Sequence, residues 1–349
     1  MITTVTGDIP KERAGFTLPH EHIFCDLRPL VSDYDDPELH RVFHEQISLR
    51  NFGHLPRNPY AVLDNAVLDD ETAQTWEVAE YARAGGITIA DATTRDFGRD
   101  AKKLQRVSEA TGVYIVMGCG FYIDAARTPD MREMTVTQMT DELLRDLTEG
   151  VYEDGVCTGI RAGMIGEIGT SGEITPGEYR SLEAAAYAQR ETGVGLHIHA
   201  SLWTDAGVDA ARFVLKRGVD PRKVCIDHAD AALRMDYVEK LLELDILVEF
   251  DNFGKEYYVD RRYRNLLEGS FATDRDRAKT VCELYARGMG DQLLITNDVC
   301  LKSCLHHWGG WGYDHIARNI VPMLMDFGMS TSETQTLTVG NPARFLDHA

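Results

Sequence analysis

Two short histidine pairs are the residues of this chain best suited to metal chemistry. His20 and His22 lie in the segment LPHEH, and His197 and His199 lie in the segment LHIHA. On an extended strand, residues i and i+2 point to the same face, so each pair could grip one ion. One such pair is equally well explained by core histidines, but a second pair on a second apolar segment favours ligands. His199 is the expected ligand of its pair because it lies nearer the segment's end, whereas His197 is either a deeper ligand or a core histidine.

Three further residues of ligand type occupy other apolar segments. Glu167 lies in IGEIG, His228 in CIDHAD and Asp298 in LLITND. A carboxylate buried without a partner is costly, and a position between two cations removes that cost, so Glu167 is predicted to bridge two ions. The alternative for Glu167 is a salt bridge to a basic residue. Imidazole and carboxylate ligands suit zinc first, with manganese, cobalt or iron as alternatives. The six residues together predict a site for two divalent metal ions.

The elements that position these residues form a repeating pattern. Short apolar runs, several of them rich in Val and Ile, alternate with stretches of helical spacing that end at Gly193, Gly218 and Gly288. Such alternation predicts a parallel (β/α)8 barrel, with an open doubly wound sheet as the weaker alternative because no glycine-rich phosphate loop follows the first strand. The predicted strands are Phe16–Ile23, Ile87–Thr94, Val113–Tyr122, Met164–Thr170, Val194–Ala200, Val224–Asp230, Leu247–Phe253 and Leu293–Asp298.

Length and composition indicate one globular unit, and we expect a single barrel domain over residues 1–349. The formal net charge of -20 at pH 7 argues against nucleic-acid and anionic-membrane partners and favours a small-molecule substrate. The N-terminus lacks the apolar core of a signal peptide, so we expect a cytoplasmic protein. The seven cysteines contain no CxxC pair and are expected to be reduced thiols.

One connection is too long for the pattern. About sixty residues separate the first two predicted strands, and only the last part, Glu71–Ala84, has helical spacing. The stretch at 26–70 is irregular and rich in Pro, Tyr, Arg and His. A loop at this position emerges at the carboxyl end of the barrel, where active sites lie. We therefore expect it to form a pocket wall or lid.

At this point the sequence resembles the phosphotriesterase family of the amidohydrolase superfamily, in particular its phosphotriesterase-related members. The resemblance spans nearly the whole chain and rests on the segments GFTLPHEHIF, MIGEIGTSGEITP, HIHAS, DHAD, LLITNDVC and NPARFL. It implies that His20, His22 and Asp298 bind the more buried ion and that His199 and His228 bind the more exposed one. Glu167 falls where many relatives carry a carbamylated lysine, and this implies direct bridging by Glu167. The resemblance also implies a homodimer.

The sequence departs from phosphotriesterases proper at two positions. Ala231 and Asn252 stand where those enzymes are expected to carry an Asp and a His that shuttle protons, which argues against phosphotriester hydrolysis as the native reaction. Lys255 matches a lysine of related lactonases for phosphorylated sugars, whereas the rest of their phosphate clamp is only loosely matched, by Lys302 and Arg275.

The predicted activity is hydrolysis by a hydroxide that bridges the two metal ions. Asp298 would take the proton from this nucleophile, and Asp230 is either a carboxylate that orients a ligand histidine or a loop salt-bridge partner. Tyr122, Lys255 and Trp308 are the candidate substrate contacts, each also explicable as loop packing or surface. A lactone or carboxylic ester is the favoured substrate. The alternatives are an N-acyl amide, a phosphotriester, or a non-catalytic barrel that binds a metal or small ligand.

Overall fold

A sheet of eight parallel strands forms the centre of the molecule in the computed structural model, which describes residues 1–153 and 155–348. The strands pair in chain order, from the first to the eighth. We label them β1 Thr17–Glu21, β2 Thr88–Asp91, β3 Tyr114–Cys119, β4 Met164–Gly169, β5 Leu196–His199, β6 Val224–Ile226, β7 Leu247–Phe250 and β8 Leu293–Ile295.

The sheet curves until its first and last strands meet. The hydroxyl of Thr296 donates to the carbonyl of His20 over 3.1 Å, and the amide of His22 donates to the carbonyl of Val299 over 3.2 Å. Because these bonds join the end of β1 to the end of β8, the sheet is a nearly closed barrel with helices outside it. The (β/α)8 prediction is confirmed.

Helices connect the strands and cover the barrel. The predicted C-terminal glycines are confirmed at Gly193 and Gly288, whose φ angles of 71° and 86° place them in the left-handed region that glycine adopts at low cost. The helices are α1 Pro37–Phe43, α2 Glu71–Arg83, α3 Ala101–Thr111, α4 Pro129–Glu133, α5 Val136–Thr148, α6 Pro176–Thr192, α7 Ala206–Leu215, α8 Met235–Leu242, α9 Asp274–Leu284, α10 Val321–Asp326, α11 Thr331–Gln335 and α12 Asn341–Leu346.

Several strands are shorter than predicted. The predicted run Val224–Asp230 ends as a strand at Ile226, and Leu293–Asp298 ends at Ile295. The reason is local: His228 and Asp298 have φ angles of 59° and 48°, which no extended strand accommodates. His228 and Asp298 nevertheless stay buried after the chain has turned.

The long connection after β1 is more ordered than its composition suggested. It contains α1 and several 3-10 turns, and it is closed at its base by Cys25–Asp26, which pairs with Val67–Leu68 as a short antiparallel ribbon. Its inner side packs against the loop after β7 through an apolar cluster. The cluster consists of Tyr34, Leu39, Phe43, Ala61, Val259 and Tyr263. We call residues 27–66 together with residues 256–270 the cap.

The remaining strands are three short antiparallel ribbons outside the barrel. They are Ile2–Thr4 with Gly7–Ile9, Tyr152–Glu153 with Val156–Cys157, and Tyr258–Val259 with Gly269–Ser270. None of the helices in the described part of the chain is long and apolar enough to cross a membrane.

Candidate metal centre

The six predicted ligands meet at the carboxyl end of the barrel. His20 lies on β1, Glu167 on β4 and His199 at the end of β5, while His22, His228 and Asp298 follow β1, β6 and β8 within three residues. Five are buried, and His199 is partly exposed at the mouth. The parallel strands bring these residues together because all their carboxyl ends lie at one edge of the barrel.

The first half of the cluster consists of His20, His22 and Asp298. The Nε2 atoms of the two histidines are 3.3 Å apart. Oδ1 of Asp298 lies 3.2 Å from Nε2 of His22 and 3.9 Å from Nε2 of His20. These three atoms surround one point at the separations that ligands of a single cation adopt.

The second half consists of Glu167, His199 and His228. Nδ1 of His199 lies 2.8 Å from Nε2 of His228 and 3.2 Å from Oε2 of Glu167. The other carboxylate oxygen of Glu167, Oε1, lies 3.5 Å from Nε2 of His22. Glu167 therefore stands between the two halves, with one oxygen directed to each, as a bridging ligand requires.

Hydrogen bonds outside the cluster fix three of the ligand histidines. Nδ1 of His20 donates to Oε2 of Glu249 over 2.9 Å, and Nδ1 of His228 faces Oδ2 of Asp251 at 3.0 Å. Nδ1 of His22 lies 2.9 Å from the hydroxyl of Thr93. A neutral histidine that donates from Nδ1 has its lone pair at Nε2, and the partners outside the cluster direct the Nε2 atoms of all three rings inward, where a cation would take up that lone pair.

This donor set fits divalent cations. The Nε2 atoms of His20 and His22 face each other and the oxygens of Asp298 and Glu167. Oδ1 of Asp298 is buried and has no hydrogen-bond donor among the described residues. Such groups repel one another unless positive charge lies between them, and buried charges are paired or bind metals. The converging nitrogen and oxygen atoms therefore fit cations at the two halves of the cluster.

Charge in the cluster keeps both carboxylates ionised. Burial would raise the pKa of Glu167, but hydrogen bonds from His199 and His228 hold its pKa well below the usual range. Burial also opposes ionisation of Asp298, and the ammonium of Lys255 outweighs it, so that the pKa of Asp298 is lowered. Ionised carboxylates are the form that binds metal.

The chain holds two of the ligands in strained backbone conformations. Asp251 accepts a hydrogen bond from the amide of His228 over 2.8 Å, and this stabilises the left-handed turn at that residue. Glu21 does the same around Asp298, because its two oxygens accept from the amides of Asn297 at 3.0 Å and Val299 at 2.6 Å. Strain of this kind persists where surrounding structure enforces it, and it is concentrated at functional sites.

Asp230 reaches the candidate ligand His228 only indirectly, through Asn252 and Asp251. Its carboxylate accepts from the side chain of Asn252 over 2.7 Å and lies 3.0 Å from Nε of Arg277. The same Asn252 amide donates to Asp251 over 2.8 Å, and it is Asp251 that contacts His228. Asp251 and Glu249, which the sequence analysis missed, orient the ligand histidines. Their alternation with Val248 and Phe250 along β7 was the available signal, because side chains at i and i+2 share the inner face.

A cavity of about 300 Å³ opens above the cluster. Tyr122 and Lys255, two of the candidate substrate contacts, line it, and the hydroxyl of Tyr122 lies 3.3 Å from Nδ1 of His199. Trp308 is not among the described residues that line it and instead lies over Lys302, whose Nζ is 5.6 Å from its ring centre. Trp203 from the loop after β5 lines the cavity and was missed. Seven lining residues come from the cap: Leu27, Leu30, Pro59, Tyr60, Tyr257, Leu266 and Leu267.

Comparison with known proteins agrees with this geometry. The model of the phosphotriesterase family matches residues 1–346. The chain belongs to the phosphotriesterase family. Within this phosphotriesterase family it is similar to the N-acetyltaurine hydrolase of Salmo salar, at 34% identity over 99% of this chain and 97% of that protein.

Solved structures give the same result. A resiniferatoxin-binding protein from Rhodobacter sphaeroides superposes with a TM-score of 0.93 at 32% identity, covering 99% of this chain and 94% of its own. A lactonase from Listeria monocytogenes superposes with a TM-score of 0.78 at 25% identity, covering 100% and 99% of the two chains. The protein is therefore a hydrolase of the phosphotriesterase family, a family that uses a binuclear metal centre.

Proposed function

We propose that this protein hydrolyses N-acyl amides whose amine part carries an acidic group, with two zinc ions held by His20, His22, Glu167, His199, His228 and Asp298. The observation that carries the proposal is the buried ammonium of Lys255 at the wall of the metal-centre cavity. The N-acetyltaurine hydrolases, at 30% to 34% identity over 97% of their length, are named for a substrate of this class. The lactone that the sequence favoured is not confirmed and becomes the second candidate.

The residues around the centre divide the chemistry between them. Bound cations would supply Lewis acidity and lower the pKa of water at the centre to near neutrality. Glu167 would hold the two halves of the cluster together, and the ionised carboxylate of Asp298 would accept the proton of the attacking water. The proton then passes from Asp298 to the leaving nitrogen, which must be protonated before it departs. The hydroxyl of Tyr122, beside His199, is positioned to contact the acyl oxygen.

Lys255 supports both the centre and the substrate. Its ammonium donates to Oδ2 of Asp298 and lies 3.8 Å from the sulfur of Cys300. Burial would lower the pKa of Lys255, but the charge of Asp298 raises it well above the ordinary value, so the side chain is cationic. An ammonium has three N–H donors, and the remaining donor can bind a sulfonate or carboxylate on the substrate. Lys255 is the one lysine or arginine among the described residues that line the cavity.

A lactone or carboxylic ester is the second candidate. The structural similarity to the lactonase from Listeria monocytogenes favours it, since the same donor set can activate water towards an ester carbonyl. Phosphotriester hydrolysis is disfavoured because Ala231 and Asn252 cannot shuttle protons, and Asn252 is committed to hydrogen bonds with Asp230 and Asp251.

A substrate panel on the zinc-loaded enzyme tests the proposal. We expect the highest kcat/KM for N-acyl derivatives of small amino acids and aminosulfonates, including N-acetyltaurine, and a lower value for lactones and aryl esters. Turnover of lactones and esters without turnover of any N-acyl amide would contradict the amide proposal and favour the second candidate.

The role of Lys255 is tested by Lys255→Met. We expect KM for an acidic N-acyl amide to rise about tenfold to a hundredfold, since a charge-assisted hydrogen bond is worth about 1.5–3 kcal/mol, while a neutral N-acyl amide is affected less. The matched control is Lys302→Met, because Lys302 pairs with Asp64 at 2.7 Å and does not line the cavity within the described structure. Equal effects on acidic and neutral amides would contradict anion recognition by Lys255.

A further inference from the structure

A second cluster of metal-ligand residues lies on the outer surface of the cap. His40 lies on α1, His44 follows its last residue, and Asp33 precedes the helix in the chain. Nδ1 of His40 and Nε2 of His44 each lie 2.8 Å from the same oxygen of Asp33, Oδ2. The two ring centres are 4.8 Å apart. Three candidate ligand atoms thus converge on one point, outside the barrel.

We propose that Asp33, His40 and His44 form a third cation site, selective for zinc, nickel or copper rather than magnesium or calcium. Two imidazole nitrogens and one carboxylate oxygen suit borderline transition-metal ions, whereas magnesium and calcium require mostly oxygen ligands. All three side chains are exposed, so water completes the coordination of the ion. Nothing in the hydrolytic chemistry of the barrel centre uses these residues.

The backbone that carries the three side chains is held firmly. Asp36 caps α1 by accepting from the amides of Glu38 at 2.9 Å and Leu39 at 3.1 Å. Next to Asp33, the buried ring of Tyr34 is anchored by its hydroxyl, which donates to the carbonyl of Tyr263 over 3.0 Å. The amide of Tyr34 donates to Oδ1 of Asp33 over 2.6 Å, which leaves Oδ2 to face the two imidazoles. The site is therefore organised before an ion arrives.

The geometry needs only a small adjustment to accept an ion. Zinc binds nitrogen and oxygen at about 2.0–2.2 Å, so ligands of a tetrahedral ion lie about 3.3–3.5 Å apart. The two contacts to Asp33 must open by about half an ångström from their present 2.8 Å, and rotation of exposed side chains allows this. When an ion binds, the proton of each neutral imidazole moves to the other ring nitrogen, which is Nε2 in His40 and Nδ1 in His44. The ion then binds the nitrogen that has lost its proton. Proton number is thus conserved in the binding step.

A count of bound zinc tests the site. The zinc-loaded enzyme is dialysed against buffer containing free zinc, and the ions per chain are measured by elemental analysis. We expect wild type to bind one ion more per chain than the double variant H40A/H44A, with kcat/KM of the variant unchanged because the barrel centre is intact. The matched control is His307→Ala, which removes another exposed histidine and is expected to keep the extra ion.

Two outcomes would overturn the proposal. One is an equal zinc count for wild type and H40A/H44A, and the other is the loss of the extra ion in His307→Ala. If the double variant loses activity, the same comparison is made with Asp33→Asn and with His44→Gln, which conserve side-chain size. Replacing zinc by magnesium in the dialysis is expected to abolish the difference, and an equal extra uptake of magnesium would contradict selectivity for borderline ions.

Discussion

The metal cluster and the cap are held together by opposite means. In the cluster, the candidate ligands are buried or nearly so. Each residue of the first half also has a contact outside the cluster that fixes it, such as the hydrogen bond from His20 to Glu249. In the cap, apolar side chains face the cavity and ion pairs lie on the solvent side, such as Arg262 with Asp36 and Glu38. The barrel therefore holds the candidate ligands in fixed positions, and the cap supplies an apolar wall of the cavity.

Charged pairs in the cluster and in the cap contribute differently to the free energy of folding. Removing one partner of a buried charged pair costs about 3–5 kcal/mol, whereas an exposed ion pair contributes about 0–1 kcal/mol. Substitutions in the cluster should consequently abolish metal binding or turnover. Substitutions of cap residues that line the cavity should change substrate affinity, and substitutions on the outer surface of the cap should change local stability only. The following predictions test this contrast, from the largest expected effect to the smallest.

The largest effect on turnover is expected from Asp298→Asn. The substitution keeps a ligand oxygen but removes the proton acceptor, so kcat should fall about a thousandfold, equivalent to about 4 kcal/mol of transition-state stabilisation. The bound metal and the fold should change little, which elemental analysis and circular dichroism can check. The control is Asp291→Asn on the protein surface. Near-normal kcat in Asp298→Asn would contradict the assigned role and favour a barrel that only binds ligand.

A smaller effect, on metal affinity, is expected from residues that hydrogen-bond to the candidate ligands. Glu249→Ala removes the acceptor that fixes the ring of His20, and loss of such a partner lowers metal affinity about tenfold to a hundredfold. Competition with a chelator measures this affinity, with the exposed Glu243→Ala as control. Metal affinity that is equal in the two variants would show that Glu249 does not position His20.

The cap should act on substrate affinity. Leu267 lines the cavity from the loop after β7, so Leu267→Ala should raise KM about tenfold by removing about 1.5 kcal/mol of apolar contact, while kcat stays within about twofold. Steady-state kinetics over a substrate series provide the measurement. A fall in kcat at constant KM would mean that the cap participates in the chemical step, against the contrast between the cluster and the cap.

The smallest effect concerns acid stability of the cap. Hydrogen bonds from Arg262 lower the pKa of Asp36 from 3.8 to about 2. A carboxyl group whose folded-state pKa is lowered contributes stability above its unfolded pKa, and this contribution is lost as the pH falls from about 4 to about 2. Wild type should therefore exceed Arg262→Ala in thermal stability at pH 6, and the gap should narrow at pH 2. A difference in thermal stability that is the same at pH 6 and pH 2 would show that the pairing with Arg262 does not lower the pKa of Asp36.

The barrel and the convergence of the six candidate ligands at its carboxyl end could be predicted from sequence, because both depend on local patterns. A residue such as Glu167 within an apolar run reveals its burial and its need for a cation, and the strand period places it inward. The partners of those residues were harder to predict, because Asp251 and Glu249 become relevant only when the closed barrel places β7 beside β6 and brings Glu249 within 2.9 Å of His20 on β1. Trp308 illustrates the same limit: its ring packs on Lys302, a contact within its own loop that composition does not specify.

The central claim is that Glu167 bridges two ions. Elemental analysis of protein purified without chelators and supplied with zinc tests it most directly, in an Asp33→Asn background so that the cap site does not contribute. We predict about two ions per chain and a loss of at least one of them in Glu167→Ala, with the two halves of the cluster no longer joined. At most one ion per chain, unchanged by Glu167→Ala, would contradict the bridged centre.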